Sequence, residues 1–130
     1  MSKKTTETCP CGSQQSYVQC CAPYHQWDSV PATAEALMRS RYTAFVLELK
    51  DYLLSTWHPS TRPKQLQFDS NTHWLGLKIK AHEAGQKDDT EGTVSFVARY
   101  KLQGKAHRLT EKSRFVKDKE RWFYLDGEIS

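Results

Sequence analysis

The spacing of hydrophobic residues changes near the middle of the chain, from a helical repeat to an alternating one. Between residues 33 and 57, hydrophobic side chains recur every three or four positions, which is typical of a helix packed on a core. Thr33 suits the N-cap and Glu35 the first turn, and Pro59 disfavours helix at the residue before it. We therefore predict helix over residues 33–57, with one break near Asp51. The predicted buried face comprises Met38, Tyr42, Phe45, Leu49, Tyr52 and Leu53.

A polar loop separates this helical region from the first alternating stretch. Residues 59–73 contain two prolines and few apolar side chains, which predicts a loop with one turn near residues 65–68. From residue 74 to residue 82, apolar and polar side chains alternate, as expected for a half-buried strand. The predicted core side of this strand carries Leu75, Leu77, Ile79 and Ala81.

Three further alternating runs follow a polar turn at residues 83–92 and are joined by short links. They predict an antiparallel meander, because two-residue links join neighbouring strands directly. The three runs cover residues 93–102, 108–117 and 121–128. Helices followed by strands predict an α+β fold, in which the helices lie across one face of a curved antiparallel sheet.

Composition narrows the class of protein. A chain of 130 residues suits one hydrophobic core, and four Trp, six Tyr and five Phe are too many for a disordered chain. The net charge of +4 is spread along the sequence and does not by itself argue for nucleic acid. No run approaches the roughly 18 apolar residues of a membrane span, and the N-terminus lacks the apolar core of a signal peptide. We expect a cytoplasmic protein with no membrane partner.

All four cysteines lie within the first 21 residues, as Cys9, Cys11, Cys20 and Cys21. In a reducing compartment, closely spaced thiols are typical of metal sites, and tetrahedral zinc takes four thiolates. Gly12 suits a chain that wraps a metal, because glycine tolerates positive φ. We predict one zinc ion per chain, with a structural role, since four protein ligands leave no open position for water.

Three alternatives to this ligand set stay open at the level of sequence. The cysteines could form two local disulfides, or they could be reduced thiols without a metal. His25 could also replace Cys21, because adjacent cysteines must splay their side chains to reach one ion. We prefer Cys21 as the fourth ligand.

The cysteine spacing and several later blocks resemble known families. Cys-Pro-Cys-Gly-Ser at residues 9–13, with the Cys20-Cys21 pair, resembles the SEC-C motif, a small zinc-binding segment also found at the end of the bacterial preprotein translocase motor. Blocks along nearly the whole chain resemble the YchJ family: LMRSRYTAFV at 37–46, TWHP at 56–59, SFVARY at 95–100, SRF at 113–115 and YLDG at 124–127.

The resemblance implies a SEC-C segment in residues 1–27 and an NTF2-like domain in residues 28–130, a cone of helices on a strongly bent sheet. The biochemical role of the family is not established. Many members carry a second SEC-C motif at the C-terminus, whereas no cysteine follows Cys21 in this chain. The resemblance therefore supports no role that needs two zinc segments.

NTF2-like folds usually keep a pocket between the helices and the concave face of the sheet, where polar residues lie beside aromatic ones. Glu111 and Ser113 share one side of the third predicted strand, and Tyr124 and Asp126 share one side of the fourth. A carboxylate among aromatic rings could act as a general base. The candidate pocket residues are Arg41, His58, Phe96, Tyr100, Glu111, Ser113, Tyr124 and Asp126.

A structural interpretation of the same residues needs no ligand. Arg41 could pair with Glu111 or Asp126 across the helix–sheet interface, and we favour this ion pair because buried carboxylates are usually paired. His58, beside Trp57 at a helix end, fits a capping or packing role.

Three function classes follow, in order of preference. The first is a binding module for a protein, a peptide or a small molecule, acting through the cavity or the zinc segment. The second is an enzyme of isomerase or hydro-lyase type, although no nucleophile motif, phosphate loop or open metal site is present. The third is a nucleic-acid or ribosome binder, which the modest charge disfavours, because four thiolates with one zinc lower the net charge to about +2. The sequence is also compatible with a homodimer.

Overall fold

The computed structural model describes residues 7–129, in which three helices precede a four-stranded sheet. A short 3-10 turn, Tyr17–Gln19, lies ahead of the first helix. The helices are α1 (Ala22–His25), α2 (Ala34–Leu47) and α3 (Lys50–Ser55). The strands are β1 (Thr72–Ala84), β2 (Glu91–Leu102), β3 (Lys105–Asp118) and β4 (Arg121–Ile129). Among these residues, no helix is long and apolar enough to cross a membrane.

The start of α2 is as predicted, but the break that follows it comes earlier. The Thr33 hydroxyl accepts a hydrogen bond from Ala36 N at 3.1 Å, which confirms the N-cap. Helix α2 ends where Glu48 adopts φ 57°, and Leu49 N then donates to Ala44 O at 2.8 Å. The predicted break is present, but it lies at residues 48–49, ahead of Asp51, which is in the first turn of α3.

The sheet is an antiparallel meander in the order β1-β2-β3-β4, as predicted, although β1, β2 and β3 are longer than their hydrophobic runs. Backbone pairing continues into polar residues at the strand ends, which hydrophobic patterning does not mark. The predicted turn near residues 65–68 is wrong. Leu66 and Phe68 lie in a segment without regular secondary structure and pack against a small cluster formed by Ala44, Tyr52 and Leu53.

Two irregularities in β1 change which side chains face the core. The register with β2 shifts between Trp74 and Gly76, and again between Ile79 and Ala81. Trp74, Leu77 and Ile79 consequently pack against the core. Leu75 is 44% exposed and Ala81 is exposed, so their predicted placement on the core side is wrong. A bulge adds one residue to one strand and thereby ends strict alternation.

The same effect occurs in β4. Phe115 pairs with Tyr124 and Arg114 pairs with Asp126, so Leu125 is the extra residue. Tyr124 therefore shares the core face with Phe115, whereas Asp126 lies on the opposite face beside Arg114. The prediction that Tyr124 and Asp126 share one side of the strand is wrong for this reason.

The cysteine segment and the sheet enclose α2 from two sides. Residues 40–44 of α2 are all buried, whereas Phe45 and Leu49 are only half-buried. Burial of Met38 and Tyr42 is confirmed, and full burial of Phe45 and Leu49 is not. One core cluster joins the cysteines to α2 and the sheet: it includes Cys9, Cys11, Cys21, Leu37, Met38, Tyr42, Val94, Phe96, Phe115 and Trp122.

Candidate functional site

The four cysteine sulfurs converge at one point. All four Sγ atoms lie within 4.8 Å of one another, with Cys11 and Cys20 at 3.6 Å and Cys20 and Cys21 at 3.9 Å. Four thiolates bound tetrahedrally at about 2.3 Å place neighbouring sulfurs about 3.8 Å apart. The spacing thus fits a tetrahedral ion, and the cluster could hold a metal ion, as the sequence predicted.

Local backbone geometry brings these cysteines together. Cys9 N donates to Gln15 O at 2.7 Å, and Gly12 turns the chain between them with φ 83°. A side chain at Gly12 would place its Cβ 2.8 Å from Leu77 O in β1, so glycine also permits close packing on the sheet. Cys20 follows the 3-10 turn and Cys21 precedes α1.

The thiols are free and share hydrogen bonds. Hydrogen bonds from Cys21 and Cys9 lower the pKa of Cys11, and the bond to Cys11 raises the pKa of Cys21. A bound cation would displace the protons of these thiols, because thiolates are the metal ligands.

His25 takes part in a different network. Tyr17 Oη lies 2.8 Å from His25 Nδ1, and His25 Nε2 lies 2.8 Å from Ser40 O. Since a carbonyl only accepts, Nε2 carries the proton and Nδ1 accepts from the tyrosine. Burial lowers the pKa of His25 and so favours this neutral form. Both ring nitrogens are occupied, which favours the four-cysteine set over one with His25.

A cavity of about 270 Å³ lies between α2, the end of α3 and the concave face of the sheet. Five of the eight candidate pocket residues line it: Arg41, Phe96, Glu111, Ser113 and Tyr124. The remaining lining residues are Met38, Tyr42, Phe45, Trp57, Trp74, Ala98 and Leu109. The walls are therefore largely aromatic or aliphatic, with few charged groups.

Arg41 is the buried cation of this cavity and does not form the predicted ion pair. It is 3% exposed, and its Nη1 donates to Leu53 O and to Thr56 Oγ1, both at 2.7 Å. No carboxylate of residues 7–129 lies within 4.0 Å of its nitrogens. The guanidinium is held by the end of α3 instead. Burial lowers its pKa to about 10, so the charge is costly to keep there.

A backbone bridge places two aromatic rings around this cation. His58 N donates to Tyr124 O and Tyr124 N donates to Thr56 O, both at 2.8 Å. The Trp57 and Tyr124 rings then cross at 83°, with centroids 5.1 Å apart. Arg41 Cζ lies 4.6 Å from the Tyr124 centroid and 5.1 Å from that of Trp57. Both contacts are cation–π interactions.

Glu111 is the acidic group of the cavity. Its Oε2 accepts a hydrogen bond from Ser113 Oγ at 2.6 Å, and Tyr124 Oη lies 3.5 Å from the same oxygen. The carboxylate folds over Gly127, where a Cβ would collide with Oε2. Burial, and then the Glu111 charge, raise the pKa of Tyr124 to about 12, so its hydroxyl stays protonated. The carboxylate could accept a proton or a hydrogen bond from a molecule in the cavity.

Three candidate residues lie outside the cavity lining. Asp126, turned outward by the bulge, accepts two hydrogen bonds at 2.6 Å from exposed Arg114, which lowers the pKa of Asp126. His58 contacts Asp118 at 3.2 Å and Ser60 at 2.7 Å. Tyr100 stacks on His107 near the end of β2. These side chains have surface or strand-end contacts instead.

Trp57 is one of the seven cavity residues that are not among the candidate pocket residues predicted from the sequence. Its Nε1 is buried and has no hydrogen-bond partner in the described part of the chain. Trp57 stands in the TWHP block beside His58, whose titratable ring is the more familiar candidate for chemistry. The sequence feature that could have marked Trp57 as a cavity residue is its large ring at a helix end. Such a ring packs on the sheet and carries one N–H donor into the cavity wall.

Comparison with known proteins agrees with both parts of this architecture. The family described as YchJ, middle NTF2-like domain, matches residues 33–127, and the SEC-C motif matches residues 6–23. A UPF0225 protein of Cupriavidus pinatubonensis is 50% identical over 133 residues, covering 98% of this chain and 92% of the relative. A UPF0225 protein of Bordetella pertussis is 53% identical over 125 residues, covering 93% and 92%.

Two solved structures are also similar. The solution structure of a SEC-C motif containing protein from Rhodopseudomonas palustris has a TM-score of 0.83 and 32% identity, covering 95% of this chain and 98% of that one. The crystal structure of a SEC-C motif containing protein from Psychrobacter arcticus has a TM-score of 0.77 and 31% identity, covering 98% and 85%. The chain therefore belongs to the YchJ family, with a SEC-C motif ahead of its NTF2-like domain.

Proposed function

We propose that this chain is a small-molecule-binding module, in which the cavity takes the ligand and a zinc ion in the SEC-C segment braces α2. The observation that carries the proposal is an apolar cavity holding hydrogen-bonding groups with unused capacity. Within residues 7–129 the Trp57 Nε1 donor is buried without a hydrogen-bond partner, which is rare because such a donor loses its bond to water. A ligand acceptor would restore that bond.

The cavity dimensions and walls suit a small, partly aromatic molecule. Ligand pockets of drug-sized molecules occupy roughly 300–1,000 Å³, so a volume of about 270 Å³ fits a smaller compound. The Trp57, Trp74 and Phe96 rings supply apolar contact area. Arg41 and Glu111 are polar groups that could orient a ligand. Ligand pockets usually combine a few such polar groups with largely apolar walls.

The proposed zinc ion acts on the cavity through α2. Arg39 Nη1 donates to Cys11 O at 2.7 Å, and Cys9 Sγ lies 3.6 Å from Thr43 Oγ1. Zinc at the four sulfurs would fix this loop against one side of α2, while Arg41 and Tyr42 line the cavity on the other side. Thiolate donors at tetrahedral spacing favour zinc over hard cations such as magnesium or calcium.

Filling the cavity tests the proposal. Ala98 is 1% exposed and lines the cavity, so Ala98→Phe should abolish binding of indole, measured by saturation-transfer NMR. Thr110→Phe is the matched control, because it adds the same ring on the exposed outer face of β3. Ala98→Leu occupies less space and serves if the larger variant does not fold. Indole binding that survives cavity filling, or no indole binding by the parent chain, would contradict the proposal.

A further inference from the structure

Two side chains of the cavity wall, Arg41 and Trp57, carry hydrogen-bond donors that have no partner in the described part of the chain. Nη1 of Arg41 makes both of its hydrogen bonds, whereas Nε and Nη2 donate to no group in residues 7–129. The buried Nε1 of Trp57 lies in the ring that this guanidinium packs against. A ligand acceptor that reaches this part of the cavity wall would have two donor side chains, Arg41 and Trp57, as neighbours.

The same cavity presents an unused acceptor on the sheet. Both contacts of the Glu111 carboxylate, from Ser113 and from Tyr124, reach Oε2. Its Oε1 accepts from no donor within the described range. A ligand N–H group would find its partner there.

These two groups have opposite charges but are not paired with each other. Arg41 and Glu111 both line the cavity, and no ion pair joins them within 4.0 Å. A ligand with a net negative charge would meet repulsion from Glu111, and a net positive ligand would meet it from Arg41. Low local polarity strengthens both effects, because few polar groups line this space.

From these contacts we propose that the ligand is a small aromatic compound of zero net charge. Its carbonyl or carboxylate accepts from Arg41 and Trp57, and its N–H group donates to Glu111. A neutral amide and an amino-acid zwitterion share this chemistry. The inference rests on the proposed function, since it assigns a chemical class to the occupant of the same cavity. The apolar ring of the ligand packs against Trp74 and Phe96.

Four compounds that share one phenyl ring separate the charge classes. The two compounds of zero net charge are 3-phenylpropanamide and L-phenylalanine, the anion is 3-phenylpropanoate and the cation is 2-phenylethylamine. We expect the better of the two neutral compounds to bind the parent chain at least tenfold more tightly than either ion, measured by NMR titration at neutral pH. The amide and the zwitterion are titrated separately. The one with the higher affinity shows whether the cavity prefers a neutral amide or an amino-acid zwitterion.

Conservative variants test the assigned contacts. Trp57→Phe keeps a ring but removes the N–H group, so it should lower the affinity for the preferred neutral compound at least fivefold more than it lowers the affinity for indole. Glu111→Gln removes the negative charge and should raise the affinity of 3-phenylpropanoate relative to 2-phenylethylamine at least fivefold. Arg41→Met should shift the same ratio the other way.

The outcomes separate this inference from the proposed function. An ion that binds as tightly as the better neutral compound overturns the assignment of charge class, as does a charge preference that Glu111→Gln and Arg41→Met leave unchanged. Indole binding without binding of any phenyl compound also overturns the inference, while the cavity remains a ligand site. Failure of indole as well would contradict the proposed function itself.

Discussion

Removing the proposed zinc ion from Cys9, Cys11, Cys20 and Cys21 should lower the melting temperature of the whole domain by at least about 10 °C. Structural zinc contributes roughly 10–16 kcal/mol of binding free energy in zinc-finger peptides, which exceeds the stability of many small domains. Here three of the four cysteines belong to the same core cluster as α2 and the sheet. Loss of the ion should therefore loosen α2, and the effect should extend beyond the N-terminal loop.

Metal analysis and thermal melting measure this directly. The purified chain should contain one zinc per molecule, and a chelator in the presence of a reductant should remove the ion and lower the melting point together. Cys21→Ala should lose the metal, whereas His25→Gln should keep it, because both ring nitrogens of His25 bond elsewhere. A metal-free chain that melts at the same temperature as the zinc-loaded one would contradict the bracing role.

Phe115→Ala should cost about 3–5 kcal/mol of unfolding free energy, the usual loss for a fully buried aromatic residue. Phe115 is 1% exposed, and its ring packs 5.8 Å from that of Tyr124. Phe45→Ala should cost clearly less, because Phe45 is half-buried at the edge of the cavity. Urea unfolding of the two variants beside the parent compares the losses. If the two variants lose the same unfolding free energy, or if Phe45→Ala loses more, the core is not centred on Phe115.

The contrast between these phenylalanines shows what hydrophobic spacing can predict for α2. Spacing locates the helix and its N-cap, because both depend on local sequence. Spacing places the centre of the buried face of α2 too close to Phe45. The reason is that one row of hydrophobic residues implies that only one surface packs against the helix. The N-terminal segment that carries the cysteines covers a second side of α2. There His25 contacts Ser40, and Arg39 contacts Cys11. Burial on two sides has no single-face signature.

The irregular strands mark a second limit. Strict alternation predicts the order and pairing of strands, but each bulge reverses the faces of the residues beyond it. The extra residue in β4 is Leu125, and a leucine side chain does not predict a bulge. Alternation consequently assigns Asp126 to the cavity, although it pairs with Arg114 outside. Glu111 and Ser113 lie on a part of β3 whose pairing with β2 has no register shift, and both line the cavity.

The cysteine cluster is predictable because metal chemistry constrains both residue type and spacing. Four thiols within 13 residues match the ligand number of one tetrahedral ion on their spacing alone. The partners of Arg41 are not predictable in the same way. They are a helix-end carbonyl and a hydroxyl, Leu53 O and Thr56 Oγ1, and backbone acceptors carry no sequence signal.

The side-chain N–H resonance of Trp57 tests ligand binding in the cavity most directly. In the ligand-free chain this group has no partner among residues 7–129, whereas Trp122 Nε1 donates to Ala32 O at 3.1 Å and provides an internal reference. On titration with 3-phenylpropanamide, followed by ¹H–¹⁵N correlation spectra, the Trp57 indole signal should move downfield and exchange more slowly with solvent, while the Trp122 signal stays in place. If the ligand saturates the chain while the Trp57 signal stays unchanged, a ligand site in this cavity is contradicted. A shift confined to the signal of exposed Trp27 would contradict it as well.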